Sequence, residues 1–195
     1  MSDKTAEKGL YFPGSRELYR WWRSIACSPE ELKTDGIQPA PTVYRAELKR
    51  AASPDAVLLT SGFRALWLSL PQEVREEKAR PWTPLAWATL AGVLGLVRTN
   101  MDGSFGAALG QIAPGTDKPK VSELRFAQLQ GARNPEDFYR RLSRIIRQLK
   151  GRAPVIPLAR DILVWFDEHH RKLPKRADKQ LSVTWAMDYY RAADT

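Results

Sequence analysis

The sixteen residues Asp137 to Arg152, DFYRRLSRIIRQLKGR, hold six cations and a single acid, at the first position. The chemistry open to such a set is the binding of an anion. Turning the segment by about 100° per residue gathers Phe138, Leu142, Ile145, Ile146 and Leu149 into an apolar stripe, with Tyr139 at its margin. Arg140, Arg141, Arg144, Arg147 and Lys150 spread over the opposite half. The spacing predicts an amphipathic helix over Pro135 to Lys150. Asn134 is placed to cap it, Pro135 suits the first helical position, and Glu136 and Asp137 complement the positive end of the dipole. Gly151 is placed to end it. Arg140, Arg144 and Arg147 stand three and four apart, where like charges repel by roughly 0.2 to 0.5 kcal/mol per pair. A helix that accepts this repulsion points to an external anion; a solvated charged face is the alternative.

Groups able to carry catalysis do not converge elsewhere. In DEHH, Asp167 and His170 lie three apart and can share a helix face, but His169 and His170 are the only histidines and match no zinc-ligand spacing. An exposed helix end accounts for them. The glycines of DGSFGAALG lack the GKS or GKT of a phosphate loop and a preceding strand. Ser61 in TSGF is not in the GxSxG setting of a nucleophile elbow. No catalytic residue, metal or cofactor is therefore expected. Cys27 is the only cysteine, which precludes an intrachain disulfide and reads as a small buried hydrophobe. Of the tryptophans, Trp21, Trp67, Trp87, Trp165 and Trp185 sit among apolar residues at helical spacing and read as core. Trp82, between Pro81 and Pro84 and just after REEKAR, is expected at the surface.

The net charge of +9 is unevenly placed. Residues 1–97 hold 13 cations and 11 acids, whereas residues 98–195 hold 18 and 11. The span Lys118 to Arg152 alone holds 10 cations and 3 acids. Charge this local points to a polyanionic partner, nucleic acid before an acidic membrane surface. The polar start MSDKTAEKGL has no apolar stretch of the signal-peptide kind. The longest apolar run, Leu85 to Val97, is 13 residues, short of the roughly 20 needed to span a bilayer. It reads as a core helix opening after Pro84, in a cytoplasmic protein.

The elements that must position the basic helix are themselves helical in period. Helices are expected near Arg16 to Ala26, Thr42 to Ala52, Pro54 to Leu70, Pro84 to Val97, Ser122 to Gln130, Pro135 to Lys150, Leu158 to His170 and Ala177 to Ala193. The fold class is all-α. Residues 27–41, with three prolines and a glycine, read as a long loop. Between Arg98 and Val121 the composition turns to Gly, Pro and small polar residues, a linker with one helical turn inside. Two small helical bundles are thus expected, 1–98 and 122–195, joined by a Gly/Pro-containing linker over 99–121.

The chain resembles the CasB family, the small subunit of the type I-E CRISPR surveillance complex, Cascade. The likeness runs through YRWW (Tyr19 to Trp22), RAELKRAASPDAVL (Arg45 to Leu58) followed by GFRAL, and GSFGAALGQ (Gly103 to Gln111). It continues through LRFAQLQGARNPEDFYRRLSRIIRQLKG, then LVWF and WAMDYYR. Its most specific parts are Arg125, Phe126 and Leu129 ahead of the arginine-rich helix, and the closing Trp185, Ala186, Asp188, Tyr189 and Tyr190. PGTDKPK and the segment 27–41 are fuller than the family pattern.

The resemblance implies a two-domain helical protein without a catalytic centre, lying along the belly of an RNA-guided complex and holding the DNA that the guide opens. Base pairing supplies specificity there, and protein contacts to backbone tip a nearly balanced strand exchange. The implied partners are the backbone and large subunits, the crRNA guide, target DNA including its displaced strand, and a second copy of the chain. The residues expected to meet phosphate are Lys118, Lys120, Arg125, Arg133, Arg140, Arg141, Arg144, Arg147, Lys150 and Arg152. Lys49, Arg50 and Arg80 are added from the resemblance, through a basic groove shared by both domains. The alternative is a helical DNA-binding regulator or protein-interaction module. A recognition helix mixes Asn, Gln and Ser with Arg, whereas the outward residues here are nearly all Arg or Lys.

Overall fold

A computed structural model of the chain describes residues 11–76 and 80–194; the polar start and the middle of REEKAR lie outside them. Among the described residues there are twelve α-helices, one 3-10 turn and two strands of two residues each. The helices are α1 Ser15–Ala26, α2 Pro29–Thr34, α3 Thr42–Arg50, α4 Pro54–Leu58, α5 Ser61–Ser69, α6 Gln72–Arg75 and α7 Thr83–Leu94. After β1 (Thr99–Asn100) come α8 Phe105–Gly110, α9 Glu123–Gln130 and α10 Pro135–Gln148. β2 (Arg152–Ala153), α11 Val155–His170, the 3-10 turn Ala177–Lys179 and α12 Leu181–Ala193 complete the chain. The fold is all-α.

The organising element is α7. Ten of its twelve residues are buried, as a helix without a polar face must be. It packs against α3, α4, α5 and α6 of the first half and against α10 and α11 of the second. Gly92 permits its closest approach: a Cβ there would lie 2.7 Å from both the Tyr139 ring and Val57. Tyr139 passes over this glycine, and its hydroxyl donates to the Ala51 carbonyl at 2.9 Å. Buried residues from Leu18 to Tyr189 accordingly form one continuous apolar cluster.

Several boundaries differ from the periodicity, each for a local reason. The stretch expected as one helix from Pro54 to Leu70 breaks at Thr60, whose hydroxyl caps α5 through the Phe63 N–H at 3.1 Å. Within the expected loop 27–41, Ser28 and Glu31 form a reciprocal capping box that nucleates α2. The last helix is divided: Ala177–Lys179 is a 3-10 turn and α12 starts at Leu181. In segment 99–121, α8 is largely buried against α12, and an Ile112 to Pro119 bridge closes a turn. Its tip, 114–118, is exposed throughout.

Candidate nucleic-acid interface

The basic helix α10 forms as its residues require. The Asn134 side chain accepts from the Asp137 N–H at 2.9 Å, and Pro135 occupies the first turn. Phe138, Tyr139, Leu142, Ile145, Ile146 and Leu149 are all buried, and Phe138 stacks on Trp165 at 4.2 Å between ring centres. Gly151, at φ 73°, ends the helix; a Cβ there would stand 2.8 Å from the Leu96 carbonyl. Lys150 precedes it at φ 56°, a left-handed conformation uncommon for a residue other than glycine. Past the helix, the Arg98 N–H donates to the Gly151 carbonyl at 2.7 Å. Thr99 and Asn100 then pair in parallel with Arg152 and Ala153. This short ladder clamps the end of α10 to the chain leaving α7.

The clamp creates a cleft of about 320 Å3 lined by Lys49, Leu96, Arg98, Arg147, Lys150 and Gly151. Its four charged groups are all cations, drawn from three distant segments. Arg45 lies behind them: its guanidinium donates to the carbonyls of Ile25 at 3.3 Å and Val97 at 3.1 Å, while its Nε is buried without a partner. Burial, together with the charges of Arg45 and Arg98, holds the Lys49 ammonium below its usual pKa. Burial and Arg98 do the same to Arg45. Burial is the larger cause in both; the smaller part comes from neighbouring cations, whose combined positive potential attracts anions.

The other expected residues divide by what already holds them. Arg140 and Arg141 share the Asp137 carboxylate at 2.7 and 2.8 Å, and Arg141 also donates to the Gln128 carbonyl. Burial tends to raise the pKa of Asp137, but the hydrogen bonds and charges of the two arginines outweigh it and leave it below the usual value. Arg125 donates to the Gln148 side chain, Gln148 donates to the Lys120 carbonyl at 2.7 Å, and Lys120 donates to Gln111 at 2.7 Å. Lys120 and Arg125 are thereby fixed one turn beyond Arg144. Arg144, Lys118, Arg133 and Arg152 are exposed and form no ion pair among the described residues. Arg50 folds back onto the Ala46 carbonyl at 3.1 Å. Arg80 stands apart from the cleft, 4.0 Å from Asp167 and 5.8 Å over the Trp82 ring.

Sequence reasoning missed Arg98, Arg45 and Gln148. A lone arginine closing the apolar run of α7 was the available signal for Arg98; the other two had none. Trp82, expected at the surface, is half-buried, its ring stacked with Phe166 at 5.9 Å and His170 at 5.3 Å. Trp21, Trp87 and Trp185 are core residues, while Trp67 and Trp165 pack half-buried against it. Cys27 is likewise half-buried. His169 and His170 are exposed at the end of α11, and burial followed by the charge of His170 lowers the His169 pKa. Among the described residues, no three His, Cys, Asp or Glu side chains are placed to share a metal ion. No helix among them is long and apolar enough to cross a membrane.

Comparison with curated proteins and with solved structures gave no match. The family profile of CRISPR-associated protein Cse2 (CRISPR_cse2) matches residues 44–190, a span that contains α7, the ladder, the cleft and all of α10. The chain therefore belongs to the Cse2 (CasB) family, whose members are subunits of the CRISPR Cascade complex.

Proposed function

We propose that the chain is the non-catalytic small subunit of a type I-E Cascade, cytoplasmic, that grips nucleic-acid backbone to stabilise the R-loop and chiefly its displaced DNA strand. The observation that carries this reading is the cleft in which Lys49, Arg98, Arg147 and Lys150 converge with no acid among the lining residues. Phosphates supply affinity without sequence information, which is what a guided complex asks of its protein.

The division into 1–98, 99–121 and 122–195 enters here as a proposal about function: two lobes each lend cations to one groove, and the ladder at Thr99–Arg152 sets their register. The backbone and large subunits, the crRNA guide and the target DNA are the proposed partners. A second copy placed head to tail would lengthen a groove whose helix, at about 21 Å for fourteen residues, covers only a few nucleotides.

The test is single-strand binding as a function of salt, with unrelated sequences in competition. Affinity should be indifferent to sequence and should fall with added salt in proportion to the phosphates held. Strong sequence preference would return the chain to the regulator reading, and salt-independent binding would sink both.

A further inference from the structure

A second cavity, about 610 Å3, is separate from the basic cleft and roomier than it. It lies at the other end of the ladder, and its lining includes Tyr11, Arg16, Tyr19, Asn100, Asp102 and Arg160. Its size falls within the roughly 300 to 1,000 Å3 of small-ligand sites. Arg16 and Tyr19 stand three apart on α1 and so share a face. Tyr19 is held by Trp22, ring centre to ring centre 5.6 Å. Tyr11 is 62% exposed, and Arg16 has no hydrogen-bonding or ionic partner among the described residues.

Arg160 comes from α11 and is aimed from behind. Its Nε and one Nη donate to Asp161 at 3.4 and 3.2 Å, and the other oxygen of Asp161 accepts the Trp185 indole N–H at 2.7 Å. Asp161 is 4% exposed, so the guanidinium is braced while its remaining N–H donors stay available to the cavity.

We propose that this cavity is a nucleotide pocket, in which Tyr11 and Tyr19 take the base by stacking and Arg16 with Arg160 takes the phosphate. Neither half of the lining suits a simpler ligand. Phosphate alone leaves two aromatic faces unused, and an uncharged aromatic leaves an unpartnered arginine unused. A base on phenol faces is held without regard to sequence, and guanidinium forks fit phosphate oxygens bidentately. The one acid of the lining, Asp102, is an acceptor for a sugar hydroxyl or an exocyclic amine.

The pocket also has a position relative to the basic cleft. Arg98 lines the cleft and Asn100 lines the pocket, two residues apart along an extended segment, about 6.6 Å. A strand lying over the cleft can therefore turn one of its nucleotides into the pocket. That source of the nucleotide rests on the function proposed above; a free nucleotide does not.

Titration calorimetry of the full chain with deoxyadenosine 5′-monophosphate tests the pocket. One saturable site is expected, with deoxyadenosine and inorganic phosphate each at least tenfold weaker. Arg16→Gln and Tyr11→Ala, both at exposed positions, should each lower nucleotide affinity at least tenfold without moving Tm, and Lys49→Gln/Arg147→Gln should leave it unchanged. Displacement of the bound nucleotide by a short oligodeoxyadenosine would assign the site to a strand, and simultaneous binding would assign it to free nucleotide. The proposal is overturned if no saturation occurs at millimolar nucleotide, if phosphate alone binds equally well, or if the cleft variant rather than Arg16→Gln abolishes binding. Salt-dependent strand binding that persists without any nucleotide site would sink this inference and leave the function proposed above standing.

Discussion

The two ends of α10 carry the same residue type in different surroundings. At the first end, Arg140 and Arg141 close on Asp137, and Arg141 reaches the Gln128 carbonyl as well. At the second end, the charged groups that share the cleft with Arg147 and Lys150 are the cations Lys49 and Arg98. The first pair is already satisfied within the chain, so an external phosphate would have to compete with a carboxylate. The second pair raises the energy of the free protein, and an anion relieves it. Charge count alone does not distinguish an arginine engaged by a carboxylate of its own chain from one set among other cations; the presence of an acid within reach does.

The largest expected effect lies on the inner face of the same helix and concerns stability. Phe138→Ala removes a fully buried ring stacked on Trp165 and should cost about 3 to 5 kcal/mol in chemical denaturation. A loss below about 1 kcal/mol would mean that the stripe does not anchor the helix.

Next comes a contrast in binding. Lys49→Gln/Arg147→Gln/Lys150→Gln should lower the salt slope of single-strand binding by about 2, at roughly 0.7 for each phosphate no longer held. Arg140→Gln/Arg141→Gln should lower it by less than about 1, because those side chains are engaged at Asp137. Equal losses from the two sets would erase the distinction between the ends. Arg144→Gln/Arg147→Gln should leave Tm unchanged or slightly higher, since removing like-charge repulsion releases a few tenths of a kcal/mol.

A smaller effect separates side chain from backbone at Lys150. Glycine adopts φ 56° without strain, so Lys150→Gly should raise stability by about 1 kcal/mol or less while weakening strand affinity. If affinity is retained, the lysine is there for reasons other than phosphate.

The smallest effect depends on pH. The Asp137 carboxyl is held below its usual pKa by Arg140 and Arg141 against the opposing influence of burial. A depressed acid contributes stability above its unfolded value, and that contribution disappears as pH falls through the folded value. The stability difference between the wild type and Asp137→Asn should therefore be full at neutral pH and shrink below about pH 4. A difference that grows toward acid would show that the ion pairs do not form.

Much of α10 was legible before any coordinates. Its cap at Asn134, its stop at Gly151 and its buried stripe follow from interactions that span at most a few residues, and a 3.6-residue period reports them directly. The buried character of α7 was legible too, because an apolar run with no polar side has nowhere else to go. Thr60 and Ser28 were less visible, since a hydroxyl that caps one helix interrupts another and the choice rests on a single hydrogen bond.

What the sequence by itself determined is the class of the fold and the existence of a cationic helix face, both set by local periodicity and composition. Only the tertiary structure decided which of those cations stand free. That outcome depends on whether segments far apart in the chain bring an acid, as Asp137 does within its own turn, or another cation, as Lys49 and Arg98 do from about 100 and 50 residues away. No window of sequence contains both partners of such a contact, and the packing of α7 between the halves is what brings them together.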